Sequence, residues 1–452
     1  MKVGHSDDCP TRRTKSGSGG RVPLSGFEGF MSRIPLRSHS SLALSNLRAI
    51  VILIVLAFHS ALAYVEWMPF KPASFDVPPY SWRAFPIVDS HRWIGFDIFC
   101  AWQNVYLMSL LFLLSGLFVW PSLRRKNGWG FARDRARRLG IPYVLGILVL
   151  LPMAFYPAYL AGGGDPNVTI YLRHYFGLPF MPNGQVWFLW QLLALNFIAA
   201  AVYWLAPGVL EALGKWSAAL GRRPAVYFST LLAISTIAYV PLALAFTPWE
   251  WSNSGIFSVQ WCRPLLYLVY FFAGVGIGTA GLDVGLVAID GELGRRWKLW
   301  LVLAIGSLFL WMGMTALTMN GPVPVALNIA AALCFVLACA SGCFFFIASS
   351  LRFGLKRSAM LDSLSVNAYS LYLVHYGFGI WLQFALLGFA LFALGKGFIV
   401  FGATLILSWV TILVVQRIPF AAQLIAAPPR TAAGDKASSE GVIAAPAAPP
   451  RQ

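Results

Sequence analysis

Charge is scarce in this chain, and acidic charge scarcest of all. Only 17 Asp and Glu accompany 34 Lys and Arg in 452 residues, so charged groups make up 11% of a sequence that is 58% hydrophobic. Soluble domains carry charge on about a quarter of their residues, and the deficit excludes a string of soluble domains. Apolar runs of the ~20 residues needed to cross a hydrocarbon core recur about ten times and consume the length, leaving no room for a separate globular domain.

Other signatures are missing as well. The sequence contains no P-loop, no HExxH, no GxSxG elbow and no dinucleotide-binding fingerprint. The HxxxxD pattern fails at His59, because position 64 is Tyr. The first 40 residues hold no apolar core of the kind a cleaved signal peptide needs, so the first span also serves as insertion signal. Cysteines are few. Cys334, Cys339 and Cys343 share one apolar segment without CxxC spacing, which reads as small buried side chains and gives no metal site. Cys100 and Cys262 fall near the same ends of their segments, close enough in topology for a disulfide to be considered, although spacing alone does not establish one.

What is present is a set of ten apolar segments, near 45–65, 99–120, 140–160, 186–206, 225–246, 263–280, 299–318, 325–350, 367–392 and 397–416. With the N-terminus inside, the inner stretches hold 27 of the 34 Lys and Arg, while the outer stretches hold Lys71, Arg83, Arg92, Arg173 and Lys396. That asymmetry is the positive-inside pattern and puts both termini in the cytoplasm. It also accounts for the net charge of +17 through anionic lipid headgroups, without nucleic acid. The expected fold is therefore all-α, a polytopic membrane bundle of ten helices. The membrane domain runs over 45–420, between a basic tail at 1–44 and an Ala/Pro-rich tail at 421–452, both of disordered composition.

Two outer loops, 66–98 and 161–185, are long, aromatic and Pro-rich. Interfacial anchoring explains many of their Trp and Tyr residues; a sugar-stacking surface is the functional alternative. The connection PSLRRKNGWGFARDRARRLGIPY sets seven basic residues against one Asp. Part of this is topology. Arg135 and Arg138, however, are spaced i, i+3, which on a helix places two guanidinium forks on one face at the membrane surface, an arrangement suited to phosphate.

Within the first segment, SNLRAIVILIVLAFHS carries Arg48 and His59. Eleven helical residues advance to within about 20° of whole turns and rise about 16 Å, so the two side chains share a face. Singly, Arg48 reads as a snorkelling residue and His59 as a polar group bonded to a neighbouring helix. Aligned, they read as one pathway through the bundle, since intramembrane ionisable groups mark function by default. The ninth segment adds Tyr369, Tyr372 and Tyr376 at i, i+3, i+7, with His375 beside the stripe. Such a stripe is either packing or a polar wall.

These elements, Arg-x10-His, FLLSGLFVW followed by FARDRARRLGIPY, then VWFLWQLL with Trp187, and SVNAYSLYLVH, resemble acyltransferase family 3 in content and order over about residues 45–416. The long first outer loop and the RRLGIPY form are similar to the branch that succinylates periplasmic glucans. The resemblance implies a multi-pass inner-membrane enzyme that moves an acyl group, such as acetyl or succinyl, from cytoplasmic acyl-CoA to a hydroxyl of an extracytoplasmic glycan or glycolipid. It implies acyl-CoA as co-substrate, no bound cofactor, and membrane lipids but no nucleic acid as partners. His59 matches the family's essential histidine, Arg48 its paired arginine, and Arg135 with Arg138 its cytoplasmic RxxR. The chemistry agrees, because a sugar hydroxyl attacking a thioester needs a base with a pKa near neutrality. Glu66, seven residues beyond His59, and Asp97 are candidates to orient the histidine; Trp187, Tyr369, Tyr372 and His375 are candidates for the pathway or acceptor side. A transporter for a glycan or lipid would use the same polar groups without bond chemistry, and a different site centred on His375 alone would leave Arg48 and the RxxR unexplained.

Overall fold

A computed structural model describes residues 39–418, except 69, 70 and 320. The tails assigned to 1–44 and 421–452 lie outside these residues apart from 39–44, which are helical. Helix α1 (His39–Ala61) thus starts ahead of the expected position 45. The reason is that its opening turns are buried inside the protein. Ser45 Oγ lies 2.7 Å from Ser365 Oγ, Asn46 Nδ2 donates to the carbonyls of Gly354 and Lys356 at 2.7 and 3.1 Å, and Ser350 Oγ donates to the Ala43 carbonyl at 2.6 Å. Composition reads 39–44 as tail, whereas the bundle buries Ser40, Leu42, Ala43 and Leu44.

Helix α2 (Ile94–Gly116) is followed by one long broken crossing. It comprises α3 (Val119–Arg135), a π turn at Ala136–Gly140, α4 (Ile141–Leu145), a second π turn at Gly146–Leu150, and α5 (Leu151–Ala161). Helices α6 (Val168–Gly177), α7 (Trp187–Leu205), α8 (Pro207–Gly221) and α9 (Pro224–Phe246) come next. A small antiparallel hairpin, β1 (Ser252–Ser254) and β2 (Phe257–Val259), sets Ser252 opposite Val259. The chain ends in α10 (Pro264–Ala280), the short α11 (Glu292–Arg295), α12 (Trp297–Thr318), α13 (Val325–Phe353), α14 (Ala359–Ala385) and α15 (Ala393–Val415).

Among the described residues, eight crossings are long and apolar enough to span a membrane. The short α10 and the more polar α14 complete the ten segments expected, so the chain is an all-α polytopic bundle. Loops 66–93, 162–185 and 247–263 meet at one end, through the His174–Asp76 ion pair at 2.8 Å, a hydrogen bond from Met181 N to the Gly255 carbonyl, and the Trp67–Trp249 ring contact. The connections rich in Lys and Arg alternate with them along the chain and form the basic end.

Lipid tails are as apolar as leucine, so close backbone approach must replace the hydrophobic effect between spans. Between α2 and α10, a Cβ added to Gly274 would lie 2.0 Å from the Leu113 carbonyl oxygen, and one at Gly278 would lie 2.1 Å from that of Leu117. Glycine is required on this seam. Cys100 and Cys262 are both free thiols, which removes the disulfide considered from topology: Cys100 packs in a small cluster with Ala61, Val65 and Met68, Cys262 in the main core.

The first outer loop is fastened from beneath by a buried ion pair. Lys396 Nζ at the start of α15 lies 2.6 Å from Asp89 Oδ2, both side chains at most 1% exposed, with His91 Nδ1 3.5 Å from the same ammonium. The loop backbone adds Asp89 N to the Ala63 carbonyl and Trp93 N to the Tyr64 carbonyl, which ties it to the end of α1. Removing one partner of such a pair strands a buried charge and costs about 3–5 kcal/mol. Asp89→Asn is therefore expected to lower the unfolding midpoint in mild detergent markedly, whereas a Glu292→Gln control in the exposed Arg296–Glu292 pair should leave it almost unchanged.

Candidate active site

Helix α14 packs along α1 and brings the two intramembrane histidines into contact. His375 Nε2 lies 3.1 Å from His59 Nδ1, with ring centroids 5.1 Å apart. His375 Nδ1 faces the carbonyls of Leu371 and Tyr372 at 3.1 and 2.9 Å, and His59 Nδ1 also faces the Val55 carbonyl at 3.0 Å. The two rings are not equivalent. His375 is 1% exposed, while His59 is half-buried and its Nε2 makes no hydrogen bond among the described residues. Gln383 sets the height of one helix on the other, donating to the carbonyls of His59 and Ser60 where α1 runs out of its own partners.

Aromatic rings approach the pair from the loop end. Tyr376 stands edge-on to His59 at 5.2 Å, Phe155 against Tyr376, Trp82 against Phe155, and Phe75 stacked on Trp82 at 4.3 Å. A second line runs from Trp251 to Trp187, Phe188, Tyr372 and His375. Among the loop groups, burial pushes the phenols of Tyr171 and Tyr175 up, so they stay protonated, and pushes the Arg83 guanidinium, which lies over the Phe180 ring, down from the usual arginine value.

The basic end is built by proline. Pro142 has no N–H to offer the carbonyl four residues back, and that carbonyl, on Arg138, accepts the Tyr369 hydroxyl at 2.6 Å. Pro157 stands in the same relation to Met153, whose carbonyl accepts Trp381 Nε1 at 2.9 Å. Helix α14 thus grips the broken crossing at both heights. The stretch's one acid, Asp134, bridges Lys126 at 2.8 Å and Arg138 at 3.0 Å across a kink at Asn127. Arg135 lies over the Phe131 ring, belongs to no ion pair among the described residues, and keeps a buried Nε without a partner. The π turn that follows Arg135 departs from the regular α-helical register assumed for the i, i+3 pair. Arg48, on the His59 face of α1, stacks its guanidinium 4.7 Å over the Phe118 ring.

Residues 41–413 match the family profile of acyltransferase family 3, described as an acyltransferase domain. The chain belongs to acyltransferase family 3. No curated protein and no solved structure matches it. A match over most of the chain makes this acyltransferase an enzyme that transfers groups other than aminoacyl groups, housed in a multi-pass membrane bundle.

The geometry of this family 3 enzyme redistributes the candidate roles. Glu66 is not aligned with His59: the α-helix stops at Ala61, a 3-10 turn covers Leu62–Tyr64, the chain is extended at Val65, and the Glu66 side chain is exposed. Asp97 is occupied, its carboxylate oxygens accepting the backbone N–H groups of Glu66 and Trp67 at 2.8 and 2.9 Å. Neither carboxylate touches the histidine; His375 does. Tyr372 and Tyr369 act as braces, their hydroxyls bonded to the carbonyls of Gln185 and Arg138, and Trp187 stacks on Tyr267 without contacting either histidine. Sequence reasoning missed Gln383, Gln185 and Gly184. Only the Asn-Gly dipeptide at 183–184 carries a signal, that of a turn.

Gly184 has φ +42°, and a Cβ there would lie 2.6 Å from Leu151 Cδ2 and 3.1 Å from Tyr376 Cε1. Gly184→Ala should therefore press the Tyr376 ring toward His59. The expected outcome is about a tenfold or greater loss of kcat, the penalty for displacing a positioned group, with insertion intact; a steady-state transfer assay on purified protein reads it.

Proposed function

We propose that this enzyme carries acyl groups from cytoplasmic acyl-CoA, entering at the basic end, to a hydroxyl of an extracytoplasmic glycan or glycolipid, with the bundle seated in the cell inner membrane. The observation that carries this reading is the His59–His375 contact, in which only His59 offers an open ring nitrogen. The donor's phosphates would sit against Arg135 and Arg138, where Arg135 forms no ion pair among the described residues. Its extended pantetheine arm would follow the Arg48 side of α1 up about 16 Å to His59. There the acceptor hydroxyl meets the thioester from the loop end, between the two lines of aromatic rings. As the hydroxyl oxygen bonds to the thioester carbon, His59 Nε2 takes the hydroxyl proton; the C–S bond then breaks, and the imidazolium returns that proton to the departing sulfur. No covalent acyl-enzyme is needed. The basic asymmetry supports the sidedness, since it orients the arginine pair toward the cytoplasm and His59 toward the outer half.

Two variants separate the roles. His59→Ala should insert normally, bind acyl-CoA, and lose transfer by about 10²-fold or more, the contribution of a positioned base; full retained transfer would remove His59 from the chemistry. Arg135→Ala with Arg138→Ala should raise the KM for acyl-CoA with kcat little changed, because a phosphate clamp contributes to binding donor and transition state alike. An unchanged KM would reduce the pair to topology signals.

A further inference from the structure

His375 cannot be the base. Its Nδ1 is enclosed by two backbone carbonyls, its Nε2 points at His59, and the ring is 1% exposed. Its contacts nonetheless dictate where the protons lie. A carbonyl oxygen only accepts, so the nitrogen facing Leu371 and Tyr372 carries the hydrogen, and neutral His375 therefore presents a lone pair at Nε2. His59 Nδ1 then faces two acceptors, that lone pair at 3.1 Å and the Val55 carbonyl at 3.0 Å. It must be the protonated nitrogen.

On this basis, and resting on His59 as the base of the proposed function, we propose that His375 is a positioning residue that fixes His59 as the Nδ1–H tautomer, leaving Nε2 free to take the acceptor's proton. The carboxylate that orients histidine in soluble triads is replaced here by a neutral ring. The physical reason is the setting: an ionised acid between two spans carries a large desolvation penalty, whereas imidazole accepts the same hydrogen bond uncharged. When His59 gains a proton at Nε2, its Nδ1–H remains directed at His375 and Val55, so the new cation is stabilised without movement of either helix.

Nitrogen-15 magnetic resonance of histidine-labelled enzyme in lipid bilayers reads the tautomers directly, with no need for activity, and His59→Asn and His375→Gln assign the signals by difference. Both rings are expected to show protonated Nδ1 and bare Nε2 in the resting state. Kinetics supply a second arm. His375→Leu should lower kcat by about tenfold or more, less than loss of the base because the Val55 carbonyl remains, with the KM for acyl-CoA unchanged. His375→Gln, whose amide oxygen can accept at the same place, should recover much of that loss. A resting His59 protonated at Nε2, a Leu variant with wild-type kcat, or a Gln variant no better than Leu would each overturn the positioning role. Failure of the base assignment would show differently, as full transfer by His59→Ala with the predicted tautomers still present.

Discussion

A polar group inside a membrane has no water to fall back on, so each must find its partner within the protein. Most of the site follows from how α14 meets that requirement. Its tyrosine and tryptophan donors take up carbonyls that Pro142 and Pro157 leave unpaired, its glutamine takes up the carbonyls at the end of α1, and its histidine meets the histidine on α1. One helix ties the arginine pair, the outer half of the broken crossing and His59 into a single frame. It is the more polar of the crossings because this is its work, and the same polarity keeps it out of the set recognised by apolarity alone.

That arrangement gives the RRLGIPY stretch a physical meaning. The proline follows a π turn that carries Arg138, the freed Arg138 carbonyl anchors to Tyr369, and Asp134 holds Arg138 and Lys126 together. Arginine side chains left on a continuous helix would sweep the headgroup region freely; here one is pinned by an acid and the other is laid on a phenylalanine ring with its Nε still unpaired. The resulting asymmetry leaves one guanidinium held in an ion pair and the other, among the described residues, in none.

The outer loops are irregular, yet a buried Lys396–Asp89 pair and backbone bonds to Ala63 and Tyr64 fasten the first of them to the end of α1. Phe75 and Trp82 from that loop begin the line of rings that ends on His59. The loop therefore belongs to the site's outer wall, and its aromatic content serves packing toward the histidine as well as interfacial anchoring.

The ten crossings, their alternation and the candidacy of Arg48, His59, Arg135 and Arg138 were legible from composition and spacing, because hydropathy, positive charge and helical periodicity are local properties of the chain. The start of α1 was misplaced for the same reason: positions 39–44 continue a basic, Ser-rich tail by composition, and only the burial of Ser40, Leu42, Ala43 and Leu44 and the bond from Ser350 on α13 to the Ala43 carbonyl place them in the helix. The orienting group for His59 was sought among carboxylates near it in sequence, Glu66 and Asp97, and both proved to be engaged elsewhere or off the helix. The side chain that does contact its Nδ1 lies 316 residues away. No periodicity within one segment can report a contact made between two, so the pairing of His59 with His375, the proline-freed carbonyls and their acceptance by α14 were decided only when the helices packed.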